Sequence, residues 1–232
     1  ISIDLSIEEE IIKIVEIMEF IPKKNNLLTL QLKGTQIELD SIFINKVKLT
    51  NVSYSLDENN LVIRNIPFEP FQLEIHSKIN PYLNTSLEGL YLSGKILTTQ
   101  CEAEGFRRIC FHPDRPDVLS KYKVRIEADI EKYPVLLSNG NKLTTSSTIS
   151  NKHRHEAIWV DPFPKPSYLF ALVAGDLSCV SDNFQTSSGR DVTINIYVES
   201  GDEIYTKHAI NSLKKAMRWD EDVYGLEYDL DL

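Results

Sequence analysis

The sequence predicts a mainly β fold, a curved β-sandwich or open sheet that gives way near its carboxyl end to a hairpin and one helix. Apolar residues alternate with polar ones through the first three quarters of the 232 residues, the period of a half-buried strand. Clusters of Asn, Gly and Ser separate these runs, and such residues tolerate the positive φ of tight turns. After Ser200 the apolar spacing lengthens to that of a helix.

Ile1, Ile3, Leu5 and Ile7 alternate as in the middle of a strand; with no initiator Met and no charged-then-apolar leader, the native amino terminus is expected to be missing. The next segment is ambiguous. Ile7, Ile11, Ile14, Val15 and Met18 fall at helical spacing, yet isoleucine enrichment favours a strand, the reading taken here. Leu28, Leu30 and Leu32, then Phe71, Leu73 and Ile75, then Tyr122, Val124, Ile126 and Ala128 read as strands. Asp57–Asn60, Ser138–Asn141 and Ser187–Gly189 supply hairpin turns. Asp161–Pro166 holds three prolines and reads as a stiff connector. Val192, Ile194, Ile196 and Val198 form a last strand before the helix. That helix is expected to start near Ser200, where Ser200 and Glu203 have capping-box spacing. Tyr205, Ala209, Leu213 and Ala216 make its core stripe, Lys214, Lys215 and Arg218 favour the dipole near its carboxyl end, and Gly225 punctuates the exit.

Composition bounds the function. With 42% hydrophobic and 25% charged residues and no apolar run long enough to span a bilayer, a membrane-embedded chain is not expected. The net charge of −9 and the lack of a Lys/Arg stripe argue against nucleic acid as the main partner. Cys101, Cys110 and Cys179 are an odd number at spacings that match no disulfide or metal framework, which fits reduced thiols and a cytoplasmic location.

Five histidines are available for metal chemistry: His76, His112, His153, His155 and His208. Only His155 is followed by Glu, and four residues beyond it stands Trp159 rather than His, so no helical H-E-x-x-H zinc motif is present. His153 and His155 form an H-x-H pair, but the neighbouring Asn151, Lys152 and Arg154 favour a polar surface strand over a metal site. The run Thr99–Arg107 stands apart. On an extended strand its Gln100, Glu102 and Glu104 would share one face, either as a solvated surface or as the wall of a cavity.

Taken with Leu87–Gly94, Asp114–Val118, Tyr133–Gly140, Asp161–Asp176, Trp219–Asp222 and Gly225–Leu230, this run resembles the amino-terminal part of the zinc-dependent aminopeptidase N (alanyl aminopeptidase, gluzincin) family. The resemblance implies a saddle-like amino-terminal β-domain over 1–176 and the start of a thermolysin-like α/β catalytic domain over 177–232. It also implies strand over residues 7–18. The G-x-M-E-N and H-E-x-x-H motifs would lie beyond Leu232. Zinc is thus the cofactor of the parent enzyme, with no ligand and no catalytic residue in this chain. Gln100 and Glu102 correspond to the family's substrate-binding pair: Glu102 would accept the free α-ammonium of a peptide, and Gln100 would line the first side-chain pocket. The implied partners are a peptide with a free amino terminus and the remainder of the catalytic domain. No hydrolysis is expected from this chain alone. The rival reading is a noncatalytic β-module that acts as a scaffold or interaction domain.

Overall fold

The computed structural model describes residues 1–22, 29–146 and 153–232; Leu28, Asn151 and Lys152 lie outside them. In chain order the first strands are β1 (Ser2–Ile7), β2 (Ile12–Phe20), β3 (Thr29–Lys33), β4 (Glu38–Ile44), β5 (Val47–Lys48) and β6 (Tyr54–Leu56). There follow β7 (Asn60–Arg64), β8 (Phe71–Ile79), β9 (Gly89–Ser93), β10 (Ile96–Gln100), β11 (Leu119–Asp129) and β12 (Val135–Ser138). The last are β13 (Asn141–Ser146), β14 (Arg154–Pro166), β15 (Leu172–Gly175), β16 (Ser178–Gln185) and β17 (Asp191–Val198), before helix α1 (Thr206–Tyr224).

Among the described residues an eight-stranded sheet has the order β13-β14-β11-β1-β2-β8-β4-β5, with β1 parallel to β11. A four-stranded sheet, β12-β15-β10-β9, and a three-stranded one, β3-β7-β6, accompany it. The ambiguous segment over residues 7–18 is strand at Ile7 and over 12–18, with a turn at 8–11 between them and no helix. β1 and β2 form a hairpin closed by Glu8 N to Ile11 O at 3.0 Å, and Ile12, Ile14, Glu16 and Met18 alternate into the interior. Packing against both neighbours outweighs the helical spacing.

That alternation divides two cores. Ile12 and Ile14 pack in a core with Leu90, Leu97, Leu136 and Leu172 of the four-stranded sheet. Met18, on the same face of the same strand, belongs to a second core with Leu32, Leu61 and Ile63 of the three-stranded sheet. The two small sheets therefore lie side by side on one face of the large one. Its other face is polar: Arg125 reaches Asp4 at 2.8 Å, Glu156 at 2.6 Å and Glu127 at 2.8 Å, and Arg154 reaches Glu127 at 2.7 Å.

Between the cores lies a polar seam. Glu16 projects inward from β2 to within 3.9 Å of His112 Nδ1, both essentially unexposed. Neither side chain, nor the Tyr122 hydroxyl, has a hydrogen-bond partner among the described residues. Burial disfavours the charged form of both groups: it holds the His112 imidazole down at about 4, with Asp114 opposing, and pushes the Glu16 carboxyl well above its usual range.

Several local expectations are corrected. Ser138–Asn141 is not a hairpin turn, because β12 and β13 belong to different sheets and the chain crosses between them there. Asp161–Pro166 is no connector but the end of β14. β13 stops pairing opposite Val160, so beyond Asp161 one edge is free and the prolines leave no ladder donor missing on that side. His155 is buried rather than on a surface strand, with its Nε2 2.7 Å from Tyr133 O, whereas His153 is exposed.

The β16–β17 hairpin and α1 enclose a third core of Phe184, Val192, Ile194, Ile210 and Met217. The helix begins at Thr206, after a 3-10 turn over Glu203–Tyr205, and no side chain caps it. Glu203 accepts from Gly201 N at 2.9 Å instead of completing a capping box with Ser200. The buried face is Thr206, Ile210, Met217 and Glu221, so Tyr205, Ala209, Leu213 and Ala216 are exposed. The basic residues sit mid-helix and grip the hairpin: Lys214 meets Asp182 at 2.6 Å and Arg218 lies 4.8 Å over the Phe184 ring. Gly225 does end the helix, at φ 65°. The tail then returns, and Asp231 exchanges two hydrogen bonds with Asn141 of β13, at 2.9 and 3.0 Å.

His112 lies lower when folded than its ordinary 6.5, so its contribution is complete above that pH and lost as pH falls towards about 4. Roughly 3 kcal/mol rides on it. Urea titrations across that window should show a shallower loss for His112→Phe than for wild type; equal slopes would mean that His112 is not held neutral. Glu16 has the opposite sign, and Glu16→Gln should gain on wild type as pH rises above the ordinary carboxylate value of 4.5. Gly140, at φ 89°, would place a Cβ 2.2 Å from Val160 O, whereas Gly189 at the same φ has open space. Gly189→Ala should cost about 1 to 2 kcal/mol and Gly140→Ala clearly more in the same titrations.

Candidate functional site

β10 pairs with β9 through Gln100 opposite Gly89, and there it ends. From Cys101 the chain turns, closed by Gly105 N to Cys101 O at 2.8 Å, and passes into a 3-10 turn over Phe106–Arg108. Buried Cys101 and Phe106 draw both ends of this loop into the first core. Glycine is required at 105, because a Cβ there would fall 2.3 Å from Gln100 O. The expected strand face of Gln100, Glu102 and Glu104 therefore does not form. Strand alternation stops at Gln100, and the Glu102–Ala103 peptide is cis.

The three side chains separate by partner. Glu104 is engaged by Arg107 at 3.0 Å. The Gln100 amide donates to Glu102 O at 3.1 Å, which holds these two residues side by side. Glu102 is exposed, and its carboxylate accepts no hydrogen bond and joins no ion pair among the described residues. Next to it the Cys101 thiol is pushed up to about 12, by burial first and then by the Asp114 charge, so it is no nucleophile at neutral pH.

Behind the loop, the basic and acidic residues of 107–117 are paired. The Asp114 carboxylate is almost unexposed and accepts from Arg107 Nε at 2.7 Å, Arg107 N at 3.2 Å and Ser167 Oγ at 2.6 Å. Arg108 reaches Glu88 at 3.2 Å and Gln36 at 2.6 Å, while Arg115 pairs with Asp117. Arg107 and Arg108 thus both hold carboxylates. One of the Asp114 donors comes from 53 residues away along the chain. No spacing in the sequence marks Ser167 as that donor.

Among the described residues no group of three or more His, Cys, Asp or Glu side chains could hold a metal ion. His155 shares its buried face with Trp159, and its ring is committed to Tyr133 O. Among them, too, no helix is long and apolar enough to cross a membrane.

The family model for the peptidase M1 N-terminal domain matches residues 1–169. Aminopeptidase N of Caulobacter vibrioides is 51% identical over 203 residues, 88% of this chain and 23% of that protein. Aminopeptidase N of Escherichia coli is 50% identical over the same shares. The crystal structure of Legionella pneumophila aminopeptidase A in complex with aspartic acid superposes with a TM-score of 0.92 at 36% identity, over 99% of this chain and 27% of that one. A Deinococcus radiodurans M1 zinc metallopeptidase, at 14% identity and a TM-score of 0.81, shares the fold. The chain spans about a quarter of the length of the aminopeptidases N that it matches. By the match over residues 1–169, and by these relatives, it belongs to the peptidase M1 N-terminal domain family.

Proposed function

We propose that this chain is the amino-terminal part of a zinc aminopeptidase that releases amino-terminal residues from peptides, and that Glu102 receives the substrate's α-ammonium. One observation carries the reading: Glu102 offers an exposed, unpartnered carboxylate, whereas the neighbouring Glu104, Asp114 and Asp117 are all engaged. An α-amino group with a pKa near ~7.7 to 8.0 is largely charged at neutral pH, and a carboxylate at about 4 Å attracts it by roughly 4 kcal/mol at an effective dielectric of 20, before desolvation. An internal peptide nitrogen carries no such charge, so this contact selects chain ends. Gln100, tied to the Glu102 carbonyl, lines the first side-chain pocket.

In this reading residues 1–176 are the β-domain and 177–232 open the catalytic domain. Support comes from the third core, which draws its buried residues from the hairpin and helix alone. Ile204, Tyr205, Trp219, Val223, Tyr224 and Leu226 remain exposed on or beside α1, as a helix awaiting further packing would be. Zinc and the general base are supplied from outside this chain, and residues 1–232 by themselves do not hydrolyse peptides.

Hydrolysis of an alanyl-anilide tests both halves of the proposal. The full-length gene product should turn it over, and purified residues 1–232 with added zinc should not. In the full-length product Glu102→Gln should raise KM roughly tenfold or more, the loss of one charge-assisted contact. Unchanged KM and kcat in that variant would falsify the role given to Glu102, and zinc-dependent turnover by residues 1–232 would overturn the division of labour.

A further inference from the structure

The Glu102 side chain makes no hydrogen bond or ion pair among the described residues, and only the residue's carbonyl is held, by the Gln100 amide at 3.1 Å. Its position is set by the two ends of its loop. One end is Gln100, fixed in β10 against Gly89. The other is the Phe106–Arg108 turn, where Phe106 is fully buried and Arg107 is half-buried. A single buried ring sets the depth of the turn without fixing its rotation. Arg107 supplies that constraint, because its Nε, Nη2 and backbone N–H all reach Asp114, at 2.7, 3.3 and 3.2 Å. The Arg107 carbonyl accepts from Thr35 N at 2.8 Å on the other side.

Asp114 is itself held. Ser167 Oγ donates to its second oxygen at 2.6 Å from the turn that follows β14. Its backbone lies at φ 40°, a turn conformation that Asp accommodates better than most residues. The carboxylate is thus a fixed post between the loop that carries Glu102 and the far end of β14.

We infer that Asp114 is a positioning residue for Glu102: through Arg107 it holds the 101–108 loop in the one orientation that presents the Glu102 carboxylate to a substrate amine. The inference rests on the role proposed above for Glu102. Asp114 touches no substrate and acts only through Arg107 and the loop.

A double-mutant cycle in the full-length enzyme separates positioning from general structural support. Arg107→Lys keeps the charge beside Asp114 but loses the planar fork. It should raise KM for an alanyl-anilide roughly tenfold while kcat changes little, since misplacement of a binding group is felt in binding. Combined with Glu102→Gln, it should add almost nothing, because the group that it positions is already disabled. Asp114→Asn should behave in the same way, and if that variant does not fold, Arg107→Lys decides. Wild-type KM in Arg107→Lys, or effects that multiply in the double variant, would overturn the inference while leaving the role of Glu102 intact. An unchanged KM in Glu102→Gln alone would remove both.

Discussion

One face of the eight-stranded sheet is apolar and the other is charged, and the remaining architecture answers that asymmetry. The charged face needs only water and the Arg125 and Arg154 ion pairs. The apolar face is too long for one small sheet to cover, so two lie on it side by side and leave a junction. The segment from Cys101 to Asp114 fills that junction. Cys110 packs in the first core, Phe111 in the second, and His112 exchanges backbone hydrogen bonds with Lys33 of the three-stranded sheet, at 2.7 and 3.0 Å. A wedge that must meet two apolar cores and still emerge to solvent carries polar groups inside, which places Glu16 and His112 at the seam. Its emergent end is the loop bearing Gln100 and Glu102.

This arrangement joins rigidity to exposure. Loops that carry binding groups are useful when a scaffold fixes both of their ends. Here the scaffold is β10 on one side and the Asp114–Arg107 contact on the other, so the backbone beneath an exposed carboxylate with no ion pair of its own among the described residues still has a defined place. The engaged neighbours also limit what the loop presents to solvent. Because Glu104 and Asp117 already hold arginines, added cations meet a single open carboxylate rather than a diffuse acidic patch.

Legibility followed the range of the interaction. Strand alternation in β8, β11 and β17 was readable because burial on one face writes itself into neighbouring residues. The end of β10 was not, since it depends on Gly105 meeting Gln100 O and on two buried residues that look unremarkable in sequence. The face of α1 was misread because both Ile210 and Leu213 are apolar, and only the position of the hairpin decides between them. The Ser167 contact to Asp114 bridges 53 residues and left no local trace. Gln100 and Glu102 drew notice through the chain-long resemblance; the run by itself was compatible with a plain solvated strand.

The uneven burial of the three free cysteines has a practical side. Cys101 and Cys110 lie in the first core with their thiols driven towards the protonated form, whereas Cys179 stands exposed on β16. The molecule therefore carries a built-in address for one thiol-directed label, remote in sequence from the Glu102 loop, and needs no engineered cysteine to receive it. A reporter attached there would watch the hairpin and helix, while the two silent thiols would become reactive only when the main core opens.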